Sequence, residues 1–175
     1  INIVAASLDI SPGDEIVLSV MEHHSNIVPW HMLRERKGAV LKWLDIDDDG
    51  GIDLEALDRL IGPRTKLVAI THMSNVLGAR TPAAEIAGLA HDKGSMVLFD
   101  GCQAAVHENV DVQALDADFY AFTGHKLYGP TGIGVLYGKP ERLAALPPFE
   151  GGGEMIDIVE RERVTYNEPP HRFEA

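Results

Sequence analysis

Three features of the sequence predict an α/β fold built on a largely parallel sheet. Short apolar runs that read as buried strands alternate with helix-like stretches of about ten residues, a pattern that favours parallel strands with helices on the sheet faces. Turns rich in Gly, Pro and Asp separate most of these runs. The 175 residues, 45% apolar and 24% charged, are enough for one domain with a real core.

Ile1 to Leu8 is short and apolar and reads as the end of a helix, followed by a turn at Ser11-Pro12-Gly13-Asp14. Glu15 to Ser19 reads as a buried strand. Asn26 to Lys37 reads as a helix capped by Ser25 or Asn26. Pro29 is tolerated in its first turn and Gly38 stops it. Ala39 to Leu44 is a strand, and Asp53 to Ile61 a helix capped by Asp53 or the residue before it. Lys66 to Thr71 is a strand, and Pro82 to Lys93 a helix ended by Gly94. Strands follow at Met96 to Phe99, Asp118 to Phe122 and Gly134 to Tyr137, then a short helix at Glu141 to Leu146. Pro147 to Ala175 is rich in Gly, Pro and charge, has the weakest core signal, and is expected to pack on a further segment.

Composition narrows the function. The net charge of −12 is spread along the chain, which argues against a nucleic-acid binder. No apolar run approaches the ~18 residues of a membrane span, and the start of the sequence does not read as a signal peptide. The single cysteine, Cys102, fits a reducing, cytoplasmic compartment. No metal site is expected. Asp45-x-Asp47-x-Asp49-Gly50 comes near a calcium loop, but Ala56 stands at its twelfth position and a strand precedes it, so it reads as a solvated acidic turn. The glycines at 132, 134 and 138 do not link a strand to a helix as a dinucleotide fingerprint would.

The informative stretch is Asp100 to Lys126. Asp100 ends one apolar run, and Lys126 stands just past the next, beside Gly124, Gly129 and Pro130. Ligands of open α/β sheets bind beyond the carboxyl ends of the strands, and Asp100, Lys126, Thr71-His72 and the residues after Ser19 all fall there. An acid and a Lys so placed suit pyridoxal 5′-phosphate (PLP), whose aldehyde forms a Schiff base with a Lys and whose ring nitrogen is kept protonated by an acid. On spacing alone a structural Lys closing the loop remains the alternative. Cys102 reads as a small packing residue beside Asp100, with a nucleophile as the alternative.

Four motifs carry a resemblance: Met21-Glu22-His23-His24-Ser25-Asn26-Ile27-Val28-Pro29-Trp30, Thr71-His72-Met73-Ser74-Asn75-Val76-Leu77-Gly78, Asp100-Gly101-Cys102-Gln103-Ala104, and Thr123-Gly124-His125-Lys126 running on to Gly134. In this order they resemble the class V aminotransferase family, and within it the SufS-type (group II) cysteine desulfurases. The resemblance covers essentially the whole chain. It implies a fold type I large domain, three-layered α/β/α with a mainly parallel mixed sheet. Lys126 is then the Schiff-base lysine and Asp100 the partner of the pyridinium nitrogen. His23 stacks on the ring and is placed for proton transfer, and Gln103 meets the phenolic oxygen. Thr123 and His125 bind the phosphate, and Asn75 lies near the substrate carboxylate and ring oxygen.

The implied reaction converts L-cysteine to L-alanine and passes sulfur, as an enzyme persulfide, towards iron–sulfur cluster assembly. The implied partners are a second copy in a homodimer and a sulfur acceptor of the SufE or SufU type; some members also take L-selenocysteine. Complete members of the family are more than twice this length. Residues 1–175 are therefore expected to form part of the PLP-binding large domain, with further phosphate ligands upstream and the persulfide-forming Cys and carboxylate-gripping Arg downstream. A selenocysteine lyase, another class V enzyme or a non-catalytic fragment are the alternatives.

Overall fold

The computed structural model describes all 175 residues, Ile1–Ala175. Its centre is a six-stranded sheet of order β2-β1-β3-β4-β5-β6: β1 (Glu15–Ser19), β2 (Val40–Leu44), β3 (Thr65–Thr71), β4 (Met96–Asp100), β5 (Phe119–Thr123) and β6 (Gly134–Gly138). The first five strands pair in parallel, and β6 runs antiparallel to β5, so the sheet is mixed as expected.

The strand sequences explain why both faces are covered. Successive side chains alternate between faces, and in a parallel sheet both sides need apolar residues. Ile16, Leu18, Leu67, Ala69, Leu98 and Phe119 go to one face, where they pack with Val4 of α1 (Asn2–Ser7) and with Trp30 and Leu33 of α2 (Val28–Lys37). Val17, Val68, Ile70, Val97, Phe99 and Tyr120 go to the other, against Leu57 of α3 (Leu54–Leu60) and Ile86, Ala87 and Ala90 of α4 (Ala83–Asp92). The result is three layers, α/β/α.

Two expected helix signals hold. Asp53 accepts the N–H groups of Glu55 and Ala56 and so caps α3. Gly38 ends α2 in the left-handed region at φ 73°, which a residue with a Cβ reaches only at a cost.

The cap expected for the helix over 26–37 is corrected. The α-helix starts at Val28, and its N-cap, Ile27, makes no side-chain bond. Asn26 instead donates to Glu22 Oε2 at 2.7 Å and accepts from Trp30 Nε1 at 3.1 Å, while Ser25 bonds to His23. The reason is competition: a short 3-10 turn over His24–Asn26 precedes the helix, and Asn26 serves a buried acid there.

A short helix α5 (Ala104–His107) was not foreseen; α6 (Pro140–Ala145) was. The segment 147–175 is more ordered than its composition implies. It holds an antiparallel hairpin of β7 (Ile156–Val159) and β8 (Val164–Tyr166), and Arg172 donates to the carbonyls of Ala144 and Leu146. The acidic loop after β2 behaves as a turn: Asp47 Oδ1 accepts the N–H groups of Asp49 and Gly51. No helix is long and apolar enough to cross a membrane.

Candidate active site

Parallel strands end together on one edge of the sheet, and here β1, β3, β4 and β5 deliver their following loops to one cavity of about 640 Å³. Asp100 is the last residue of β4 and Thr123 the last of β5, on neighbouring strands. A 3-10 turn over Gly124–Lys126 then brings His125 and Lys126 back to the cavity wall. The loop after β1 supplies His23, the loop after β3 supplies Asn75, and the turn after β4 supplies Gln103. All seven residues singled out in the sequence thus line the same space.

The local bonding constrains several of them. Asp100 is 3% exposed, and its Oδ1 accepts the N–H of Cys102 at 3.0 Å. No Lys, Arg or His of the chain pairs with this carboxyl. Lys126 likewise faces the cavity without an ion-pair partner, whereas Lys139 and Lys66 are tied to aspartates. Thr123 Oγ1 lies 2.8 Å from His125 Nδ1. The N–H of Ser25 donates to His23 Nδ1 at 3.1 Å, which leaves Nε2 as the ring nitrogen available to a ligand. Burial, together with the neighbouring Asp100 carboxyl, pushes the Cys102 thiol up to about 12, so it stays protonated at neutral pH. That agrees with a packing role.

Of the Thr71-His72 pair, only Thr71 reaches the cavity. His72 is buried among the opposite-face residues, with Nδ1 2.9 Å from the Tyr120 hydroxyl and its ring edge-on to that of Tyr120. Burial lowers its pKa. Sequence reasoning placed Thr71 at the ligand-binding edge but gave no role to Glu22, Met73 or Val135. Glu22 had one legible signal, an acid three residues past a strand with an apolar centre, Ile16-Val17-Leu18.

The chain is similar to known proteins over its whole length. A family model described as Aminotransferase class-V matches residues 1–175. The chain belongs to the class V aminotransferase family. It is 57% identical over 179 residues to a cysteine desulfurase of Dickeya dadantii (strain 3937), covering 100% of this chain and 43% of the relative. It superposes on the crystal structure of the cysteine desulfurase CsdA (S-sulfonic acid) from Escherichia coli with a TM-score of 0.96 and 47% identity, over 100% of this chain and 45% of that one. A mutant of C-DES with glycine covalently linked to its PLP cofactor matches with a TM-score of 0.88 and 31% identity, over 99% of this chain and 47% of that one. The chain therefore spans less than half the length of these relatives. The match with fold type I structures extends over all six strands of the central sheet.

Proposed function

We propose that residues 1–175 are part of the PLP-binding large domain of a SufS-type cysteine desulfurase, which converts L-cysteine to L-alanine and hands on the sulfur. The observation that carries this reading is the pairing of Asp100 and Lys126. A buried carboxyl and an amine, neither held in a side-chain ion pair, stand at or just past the ends of adjacent strands on one cavity wall. Burying a carboxylate without a cation is costly, so the arrangement calls for a ligand that brings positive charge to Asp100 and an electrophilic carbon to Lys126. A pyridinium aldehyde with a phosphate has that chemistry, and the donor set fits it.

When bound, PLP supplies an electron sink for charge developing at the substrate Cα. The residues do the rest. Lys126 Nζ holds the cofactor through its aldehyde carbon. Asp100 keeps a proton on the ring nitrogen through a charge-assisted hydrogen bond. His23, held at Nδ1 by Ser25, is left to hold or move a proton at Nε2. Thr123 and His125 offer a hydroxyl and a ring nitrogen to the phosphate, Gln103 an amide to the phenolic oxygen, and Asn75 an amide to the substrate carboxylate. L-selenocysteine, one period heavier at the same atom, is a second substrate under this reading. The whole protein acts as a cytoplasmic homodimer and delivers sulfur to a SufE- or SufU-type acceptor for iron–sulfur cluster assembly. Cys102, protonated and beside Asp100, is not the persulfide residue.

The test uses the full-length protein. Borohydride reduction after PLP loading, followed by peptide mapping, is expected to place the pyridoxyl group on Lys126 and to find none in Lys126→Ala. Label on Lys139 or Lys66 would refute the assignment. Formation of L-alanine from L-cysteine tests the reaction separately.

A further inference from the structure

Glu22 is a buried acid with no cationic partner that the proposed roles leave unused. It sits directly before His23, is 6% exposed, and pairs with no Lys, Arg or His. Its surroundings fix what each oxygen can do. Trp30 Nε1–H is an obligate donor, and it donates to Asn26 Oδ1 at 3.1 Å. That bond sets the Asn26 amide, so Nδ2 faces Glu22 Oε2 at 2.7 Å as a donor. The backbone N–H of Thr71, another obligate donor, meets Oε1 at 3.0 Å. Only Ser19 Oγ, 2.5 Å from the carboxyl, can reverse its role and accept. A proton on Glu22 therefore has one place to go, on Oε1 towards Ser19.

The charges around it come from few groups. β1 contributes Ser19, the 3-10 turn Asn26 and β3 Thr71, none of them charged. The charged group facing Glu22 is Asp100, whose residue pairs with Thr71 across β3 and β4. Glu22, in the loop after β1, and Asp100, at the end of β4, are thus two buried carboxyls on either side of the end of β3, with no Lys, Arg or His paired to either. Like charges so placed favour a proton on one of the two. Burial pushes the Glu22 carboxyl up to about 7, against the pull of the bonds from Ser19, Thr71 and Asn26.

We propose that Glu22 holds a proton, between Oε1 and Ser19 Oγ, when the cavity is empty, and releases it to water when a cationic ring nitrogen is placed on Asp100. Loading of the site is then coupled to proton release. The second half rests on the PLP reading; the first does not. No bond other than the Glu22 O–H is broken in this step, and the proton passes to bulk water.

Infrared spectroscopy of the full-length protein, with glutamate carboxyl groups labelled with carbon-13, tests both halves. In cofactor-free protein near pH 7 a carboxylic-acid C=O band is expected that carries the glutamate isotope shift and is lost in Glu22→Gln. Ser19→Ala removes the only acceptor and is expected to move the same band to higher frequency, which keeps the test decisive if Glu22→Gln does not fold. Adding PLP at the same pH is expected to remove most of the band. Its absence from cofactor-free protein overturns the proposal, and so does a band unchanged after the pyridoxyl label has been found on Lys126. If no PLP binds, the cofactor reading and the coupling fall together, while the acid band is judged on the cofactor-free spectrum alone.

Discussion

Gly101→Ala is expected to be far more damaging than an added methyl group implies. Gly101 follows Asp100, and its backbone is not in the left-handed region, so conformational freedom is not what requires it. The requirement is space: a Cβ there would fall inside the van der Waals envelope of Cε1, Cζ and Oη of Tyr120. Tyr120 is 1% exposed and cannot swing away without leaving its bond to His72 Nδ1. Forcing a methyl group into a packed core costs about 1–3 kcal/mol, and stranding the buried hydroxyl and imidazole adds about 1–3 kcal/mol. A loss of about 4 kcal/mol corresponds to a melting temperature lower by on the order of 10 °C for a domain of this size. Urea unfolding of the cofactor-free, full-length protein, followed by circular dichroism, measures it. The control is the same substitution on a Tyr120→Leu background, where Cε1, Cζ and Oη are gone; there the cost is expected to fall below about 0.5 kcal/mol, the size of an ordinary neutral substitution. Equal costs on both backgrounds, or a small cost on the parent, would show that Tyr120 is not what excludes a side chain at residue 101.

Asp118 is 0% exposed and joins Arg142 and His91 at 2.8 Å, Lys139 at 3.5 Å and the N–H of Val97. Burial alone would raise its pKa, but the bonds from His91, Arg142 and Val97 hold it below the usual Asp range. Its contribution is therefore complete above the ordinary Asp value and lost as pH falls through the lower folded one. Asp118→Asn is expected to cost about 3 kcal/mol at pH 7, because it leaves partly buried cations unpaired, and the gap from the parent should close below about pH 4 in acid-unfolding curves. With the Cys102 thiol pushed up to about 12, about one part in ten thousand is thiolate at pH 8, so iodoacetamide should label Cys102 about a thousandfold more slowly than an ordinary cysteine. Under the proposed function, Cys102→Ala in the full-length protein should leave alanine formation from L-cysteine within about threefold of the parent, since a protonated thiol is no nucleophile; loss of persulfide formation would make it the acceptor. Asp100→Asn should keep part of the bound PLP yet lose at least about a hundredfold in turnover, because the electron sink needs the protonated ring; near-normal turnover would contradict its role.

The sequence by itself determined the order and type of the main strands and helices and the place of Asp100 and Lys126 at strand ends, whereas His23, Asn75, Gln103, Thr123 and His125 came from the resemblance of their motifs to a known family. These are short-range properties. The run Met96–Phe99 is apolar on both sides because both faces of β4 are covered, and Asp100 reads as a strand-end acid because it stops that run. Lys126 stands out because it lies in a glycine- and proline-rich loop just past β5. Tertiary structure alone decided the contacts between groups far apart in the chain. Glu22 meets Thr71 across 49 positions, Asp118 gathers partners from α4, β4 and α6, and Gly101 is required by a ring 19 residues away in the chain. The cap expected at Asn26 is lost to a more local competitor: Glu22, four residues earlier, takes the Asn26 amide, and tertiary structure adds the burial of that carboxyl and its bond from the Thr71 N–H. The hairpin of β7 and β8 also escaped a reading by composition, because two short strands with mostly exposed side chains carry little periodic signal and form through their pairing with each other. Local sequence sets which groups are available, whereas the pairing of polar groups depends on which strand ends meet, and only the folded sheet brings them within bonding distance.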